Sequence, residues 1–188
     1  MENIIDLTLE ITAEMIREAQ ESNKKELAGH LGTHFDGMDQ LFPLEYTCRR
    51  GVVFDASGVQ GRDIDICDID PGRIEADMFV AFHTGFADGE PYGTTRYHKE
   101  HPQLSHALID LLLEKGVSII GTDCGGIRRG PEHVPTDQRC ADRGVFVVEN
   151  LRNLQQLVGA EQVYIHTYPI RCRCLSGLPC RVCASVLP

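Results

Sequence analysis

The chain has 188 residues, 42% of them hydrophobic, and a formal net charge of -10. Such a length and apolar content suit a single globular domain, residues 1–188, with a real core. The acidic balance argues against a nucleic-acid or anionic-membrane partner, and no apolar run reaches the roughly 20 residues that span a bilayer. The first residues, Met1 to Asp6, have neither a basic region nor a long apolar stretch, so no signal peptide is expected and the cytoplasm is the default location.

Ile4-Ile-Asp-Leu-Thr8 reads as a first strand. Thr12 can cap a helix through Met15, Ile16 and Ala19 that ends before Gly29, with a polar later half. The stretch from Gly29 to Gln40 then places His30, His34 and Asp36 within seven residues, with Gly29, Gly32 and Gly37 loosening the backbone. Imidazole and carboxylate suit zinc or another divalent ion, and two His with one carboxylate leave positions open, as a catalytic site requires. Gly32 and Thr33 are poor helix formers, which puts the cluster on a loop or strand end. The competing reading is a polar, Gly-rich surface loop that happens to hold two His.

Strand signals follow at Gly51–Phe54 and Asp77–His83, the second almost continuously apolar, as a strand buried on both faces would be. Residues 84–103 read as a long loop of the kind that lines sites. After Pro102, Leu104, Ala107, Leu108, Leu111 and Leu112 form an apolar helical stripe that Gly116 stops. Strand Val117–Ile120 leads to Asp123, and a polar loop carries Arg128, Arg129 and His133. Strand Val145–Val148 leads to Glu149, a last helix carries Leu151, Leu154 and Leu157, and Val163–His166 resumes the sheet. The alternation predicts an α/β domain with a mixed sheet. Asp123 and Glu149 both follow apolar strands directly, where α/β folds gather ligands. For Asp123, an Asp in a Gly-rich turn, a turn cap is the preferred reading, whereas for Glu149 a first-turn helix position and a ligand role stand nearly level.

Eight cysteines are present, the last four spaced Cys172-x-Cys174-x5-Cys180-x2-Cys183. A structural zinc site is one reading. The segment around Arg181–Leu187 reads instead as a strand in which Cys is a small hydrophobe, and reduced thiols are expected.

Gly29-His-Leu-Gly-Thr-His-Phe-Asp36 resembles the His-x-Gly-Thr-His-x-Asp signature of the cyclase family of metal-dependent hydrolases, which includes bacterial kynurenine formamidase and isatin hydrolase. Ala81-Phe-His-Thr-Gly-Phe86 is similar to that family's strand ending in Thr-Gly-Trp. His101–Asp123, Gly144–Leu151 with its Glu-Asn-Leu, and the closing Tyr168–Arg171 and Ser176–Arg181 segments follow in the family's order. The resemblance implies a swivelling β/β/α fold, a homodimer or higher homo-oligomer, and hydrolysis of a small-molecule formamide, lactam or related amide. It implies zinc or manganese held by His30, His34 and Asp36, with Glu149 matching a carboxylate ligand of a second metal.

Three departures bear on chemistry. The family's Pro and proton-transferring His after Asp36 are replaced by Met38 and Gln40, and an amide cannot titrate. A second family His falls on Asp137, a candidate ligand, although a small gap would bring His133 there instead. The N-terminal segment is a polar helix where many members have a Pro/Gly-rich strand and loop. Gln40 is thus expected beside the metal as an orienting group, with Glu149 taking over proton transfer. Two function classes follow: a kynurenine formamidase-like amidohydrolase, or an altered member that binds a metal or small molecule without hydrolysing it.

Overall fold

The structure, a computed structural model, describes residues 3–9, 13–21, 27–38, 40–171 and 175–187. Thr12, the predicted helix cap, and Cys172 and Cys174 lie outside them. The strands are β1 (Asn3–Asp6), β2 (His34–Asp36), β3 (Cys48–Asp55), β4 (Phe79–His83), β5 (Ile119–Thr122), β6 (Phe146–Glu149), β7 (Val163–Pro169) and β8 (Gly177–Val186). The helices are α1 (Ala13–Glu21), α2 (Leu27–His30), α3 (Phe86–Gly89), α4 (Thr95–Glu100), α5 (His106–Glu114) and α6 (His133–Ala141).

The sheet runs β1-β8-β2-β6-β5-β4-β3-β7, and β7 pairs back onto β8. The strands β2 to β8 therefore close into a barrel, and β1 adds to an edge of the long β8. Strands β3 to β6 pair in parallel, while β2, β7 and β8 join their neighbours antiparallel. This is the expected mixed α/β domain, with the sheet closed on itself.

Two-residue strand periodicity divides the core into two layers. Phe35, Val53, Phe79, Ala81, Ile119, Phe146, Val148, Ile165 and Val182 fill the barrel interior. Val52, Phe54, Val80, Phe82, Ile120 and Val147 point outward, against Leu108, Ile109 and Leu112 of α5 and Cys140 of α6. Strand β4 is buried on both faces because helices cover the barrel there, which accounts for its unbroken apolar run. Helix α5 starts where expected: the Ser105 hydroxyl accepts the Leu108 N–H, and Gly116 ends the turn at φ 69°.

The structure differs from the sequence expectation in three places, the first being residues 84–103, read as a loop, which contain α3 and α4. The predicted last helix is a single 3-10 turn, Leu154–Leu157. Asn150 and Asn153 both adopt positive φ, 59° and 58°, which an α-helix through them excludes. The polar loop after Arg129 contains α6, which becomes part of the site. No helix of the described residues is long and apolar enough to cross a membrane.

Candidate metal centre

Three segments converge on one buried cluster. Helix α2 delivers His30. A turn at Gly32 (φ 70°) then reverses the chain into β2, where His34 and Asp36 share one face and Phe35 points into the barrel. His34 stands directly opposite Glu149 in the antiparallel β2–β6 ladder. His133 and Asp137, four residues apart on α6, present one helical face to the same point.

The distances describe a linked double cluster. His30 Nδ1 lies 3.2 Å from Asp36 Oδ1 and 3.1 Å from His34 Nε2. His34 Nε2 is 3.7 Å from Asp36 Oδ1 and 3.4 Å from Glu149 Oε2. His133 Nε2 is 3.1 Å from both Asp137 Oδ2 and Glu149 Oε1. His30, His34 and Asp36 form one potential ligand set, and Asp36, His133, Asp137 and Glu149 form a second. Asp36 is common to both.

The remaining ring nitrogens are engaged in ways that aim the ligating ones inward. His34 Nδ1 is 2.9 Å from the Gly32 carbonyl, a contact it can make only as donor, which leaves Nε2 with its lone pair toward the cluster. His30 Nε2 is 3.0 Å from the Ser176 hydroxyl, leaving Nδ1 toward Asp36. The turn is itself fixed, since the Asn150 amide donates to the Gly32 carbonyl at 2.9 Å and the Gly32 N–H donates to the Tyr92 hydroxyl at 3.1 Å.

The electrostatics favour positive charge at this point. Burial opposes charge on His34, but the carboxylates of Asp36 and Glu149 outweigh it and push the imidazole up to about 9. Asp137 and Glu149 act on His133 in the same way, pushing it to about 11. Burial raises Asp137 to about 7, and burial together with the charge of Asp36 raises Glu149. For Asp36 burial works upward, yet the two neighbouring His hold its carboxyl below the usual range. Two buried carboxylate oxygens, Asp36 Oδ2 and Asp137 Oδ1, accept no hydrogen bond, and Glu149 Oε1 faces the His133 imidazole. Buried anionic oxygens beside inward-aimed imidazoles make a donor set that fits a divalent cation.

The four residues His30, His34, Asp36 and Glu149 are thus brought together, and Asp137 with them. His133 joins as well, so α6 supplies both of the alternatives that the sequence left open. Gln40 is not brought in. It is exposed, its backbone N–H donates to the Gly37 carbonyl at 2.8 Å, and it does not line the cavity over the cluster. Asp123 also stays outside, accepting the Thr84 and Gly85 N–H groups (2.9 Å each) and the Thr84 hydroxyl (2.7 Å) as a brace between strand ends. Among the described residues, Cys180 and Cys183 belong to neither ligand set.

A cavity of about 360 Å³ opens over the cluster. His30, His34, His133 and Glu149 reach it from below, Met15 and Glu18 of α1 from one side, and Leu31, Tyr92 and His98 from others. Neither Met15, Glu18, Tyr92 nor His98 is marked by the motif. Only the reading of residues 84–103 as a site-lining loop pointed toward the last two.

The sequence model of the family described as putative cyclase matches residues 5–128, and the chain belongs to that family. In fold it is similar to a potential metal-dependent hydrolase with cyclase activity (TM-score 0.76, 21% identity, 100% of each chain covered). It is similar also to a predicted metal-dependent hydrolase from Bacillus stearothermophilus (TM-score 0.75, 22% identity, 98% of each chain covered). A third such structure is isatin hydrolase A from Labrenzia aggregata bound to benzyl benzoate (TM-score 0.75, 20% identity, 100% of this chain and 94% of the other). No curated protein matches the chain in sequence.

Proposed function

We propose that the protein is a metal-dependent hydrolase of a small formamide, lactam or related amide, with zinc or manganese held by His30, His34 and Asp36 and by Asp36, His133, Asp137 and Glu149. The observation that carries the reading is the pair of buried, unpartnered carboxylate oxygens of Asp36 and Asp137 beside His30 and His34, whose other ring nitrogens are already engaged. A divalent ion in such a site polarises a carbonyl and lowers the pKa of water.

The chain's own residues do the rest. Ser176 and the Gly32 carbonyl orient the two imidazoles. The cavity admits a small molecule, and Met15, Leu31 and Tyr92 give it apolar and aromatic walls suited to a flat, partly hydrophobic substrate. The similar structures named as metal-dependent hydrolases and isatin hydrolase support hydrolysis over binding alone. A homo-oligomer, as the family resemblance implies, belongs to the same reading. The direct test is a hydrolysis screen of zinc- and manganese-loaded protein over aryl formamides, lactams and lactones. Metal-dependent turnover of at least one class is expected, and metal binding without turnover of any would favour the binding-only alternative.

A further inference from the structure

We propose that Tyr97, which is fully buried and lies outside the cavity lining, is a positioning residue for the metal ligand His34. The inference rests on the metal-dependent reading above. It makes the segment that walls the cavity, through Tyr92 and Tyr97, the holder of the turn on which His34 depends.

The chain of contacts starts at His34. Its Nδ1 donates to the Gly32 carbonyl at 2.9 Å, and the same carbonyl accepts the Asn150 side-chain amide at 2.9 Å. A carbonyl only accepts, so the amide nitrogen of Asn150 must face it and the amide oxygen must turn away. That oxygen lies 2.7 Å from the Tyr97 hydroxyl, which donates to it. The hydroxyl also reaches the Asp123 carbonyl, 3.2 Å away just past the end of β5. Burial pushes the Tyr97 phenol far above its ordinary pKa, so it remains a donor. Tyr97 thus fixes which way the Asn150 amide is turned, and through Gly32 where the His34 ring points.

The other polar group of Gly32 is held by the same stretch of chain. The Gly32 N–H donates to the Tyr92 hydroxyl at 3.1 Å, and the Tyr92 and Tyr97 rings pack with centroids 5.5 Å apart. Asn150 has little freedom of its own. It is buried at φ 59°, its N–H donates to the Cys124 carbonyl at 2.9 Å, and its carbonyl accepts the Thr33 hydroxyl at 2.8 Å. Removing the Tyr97 hydroxyl would leave the buried amide oxygen without its donor, which costs free energy. Turning the amide toward the cavity, which Asn150 lines, would relieve that cost and release the Gly32 carbonyl. His34 then keeps its place in β2 but loses the fixed acceptor that sets its ring.

The test measures affinity for zinc or manganese, whichever the wild type retains, by competition with a chromogenic chelator. The visible spectrum of cobalt(II)-loaded protein reports ligand geometry beside it. Tyr97→Phe keeps the ring and removes only the hydroxyl. It should weaken the ion about tenfold or more and shift the cobalt bands. Asn150→Ala should do the same, and the double variant should lose no more than either single one, because both act through one path. Thr94→Ala is the control for a loosened wall. It removes the hydroxyl that accepts the Tyr97 N–H at 3.0 Å and caps α4, and it leaves the Tyr97 hydroxyl in place. It should lower thermal stability with ion affinity and cobalt bands unchanged. Wild-type affinity and bands in Tyr97→Phe overturn the assignment, as does an equal loss in Thr94→Ala or full additivity in the double variant. If Asn150→Ala does not fold, Tyr97→Phe against Thr94→Ala decides. If the wild type retains neither ion, the metal reading itself fails and this role with it.

Discussion

Gly29 and Gly177 pack backbone against backbone: a Cβ on Gly29 would stand 2.5 Å from the Gly177 carbonyl oxygen, and one on Gly177 only 2.7 Å from His30 Cδ2. Real Cβ atoms do not approach so closely, so both positions require glycine. The contact fastens α2 to the start of β8 and sets where His30 points. The close approach of two segments distant in the chain thus holds His30, a candidate metal ligand, in place.

Gly177→Ala should therefore displace His30. We expect at least a tenfold loss of metal affinity, as when groups that orient ligands are removed, and destabilisation on the order of 1–3 kcal/mol from overpacking. Metal titration and chemical denaturation of the variant measure the two effects. Wild-type affinity with wild-type stability would show that the contact is not needed.

His101 gives the fold a pH dependence of its own. It is fully buried; Nδ1 lies 2.8 Å from the Pro102 carbonyl, and burial lowers its pKa from 6.5 to about 4. The folded state thus keeps it neutral while the unfolded chain protonates it. Its stabilising effect is present above pH 6.5 and is lost as pH falls from there toward 4, to a total on the order of 3 kcal/mol. His101→Asn, which can keep a donor to the carbonyl, should have a flatter stability profile over that range. Parallel profiles for variant and wild type would contradict this.

The C-terminal thiols are expected to be reduced and metal-free. Cys180 is buried in the barrel and Cys183 is half-buried on β8, and both are free thiols. Burial pushes the Cys180 thiol well above its ordinary value, which disfavours the thiolate that zinc needs. Thiol titration of the unfolded protein should find all eight cysteines. Zinc that persists in His34→Ala and disappears when Cys180 and Cys183 become Ser would overturn this.

The first ligand set was legible because its three members lie within seven residues and carry a motif. The second was only partly legible, since its members come from β2, α6 and β6 and meet through strand register. Helix α6 itself was hidden. Its buried face carries Thr136, Asp137 and Cys140, so the apolar periodicity that reveals a helix is absent there. Leu151, Leu154 and Leu157 misled in the opposite direction. Three-residue spacing suits a 3-10 turn as well as an α-helix, and the two Asn at positive φ decide for the turn. Gln40 shows how a motif position can be matched in sequence while the residue is exposed and stays out of the cavity lining.

Metal content is the decisive measurement on the two linked clusters, which we propose hold divalent metal. Wild-type protein reconstituted with zinc or manganese and freed of excess ion should retain at least one ion per chain by elemental analysis. His34→Ala should lose it sharply, because His34 Nε2 faces Asp36 and Glu149 at the junction of both sets. Full occupancy in His34→Ala, or no retained metal in the wild type, would contradict the account.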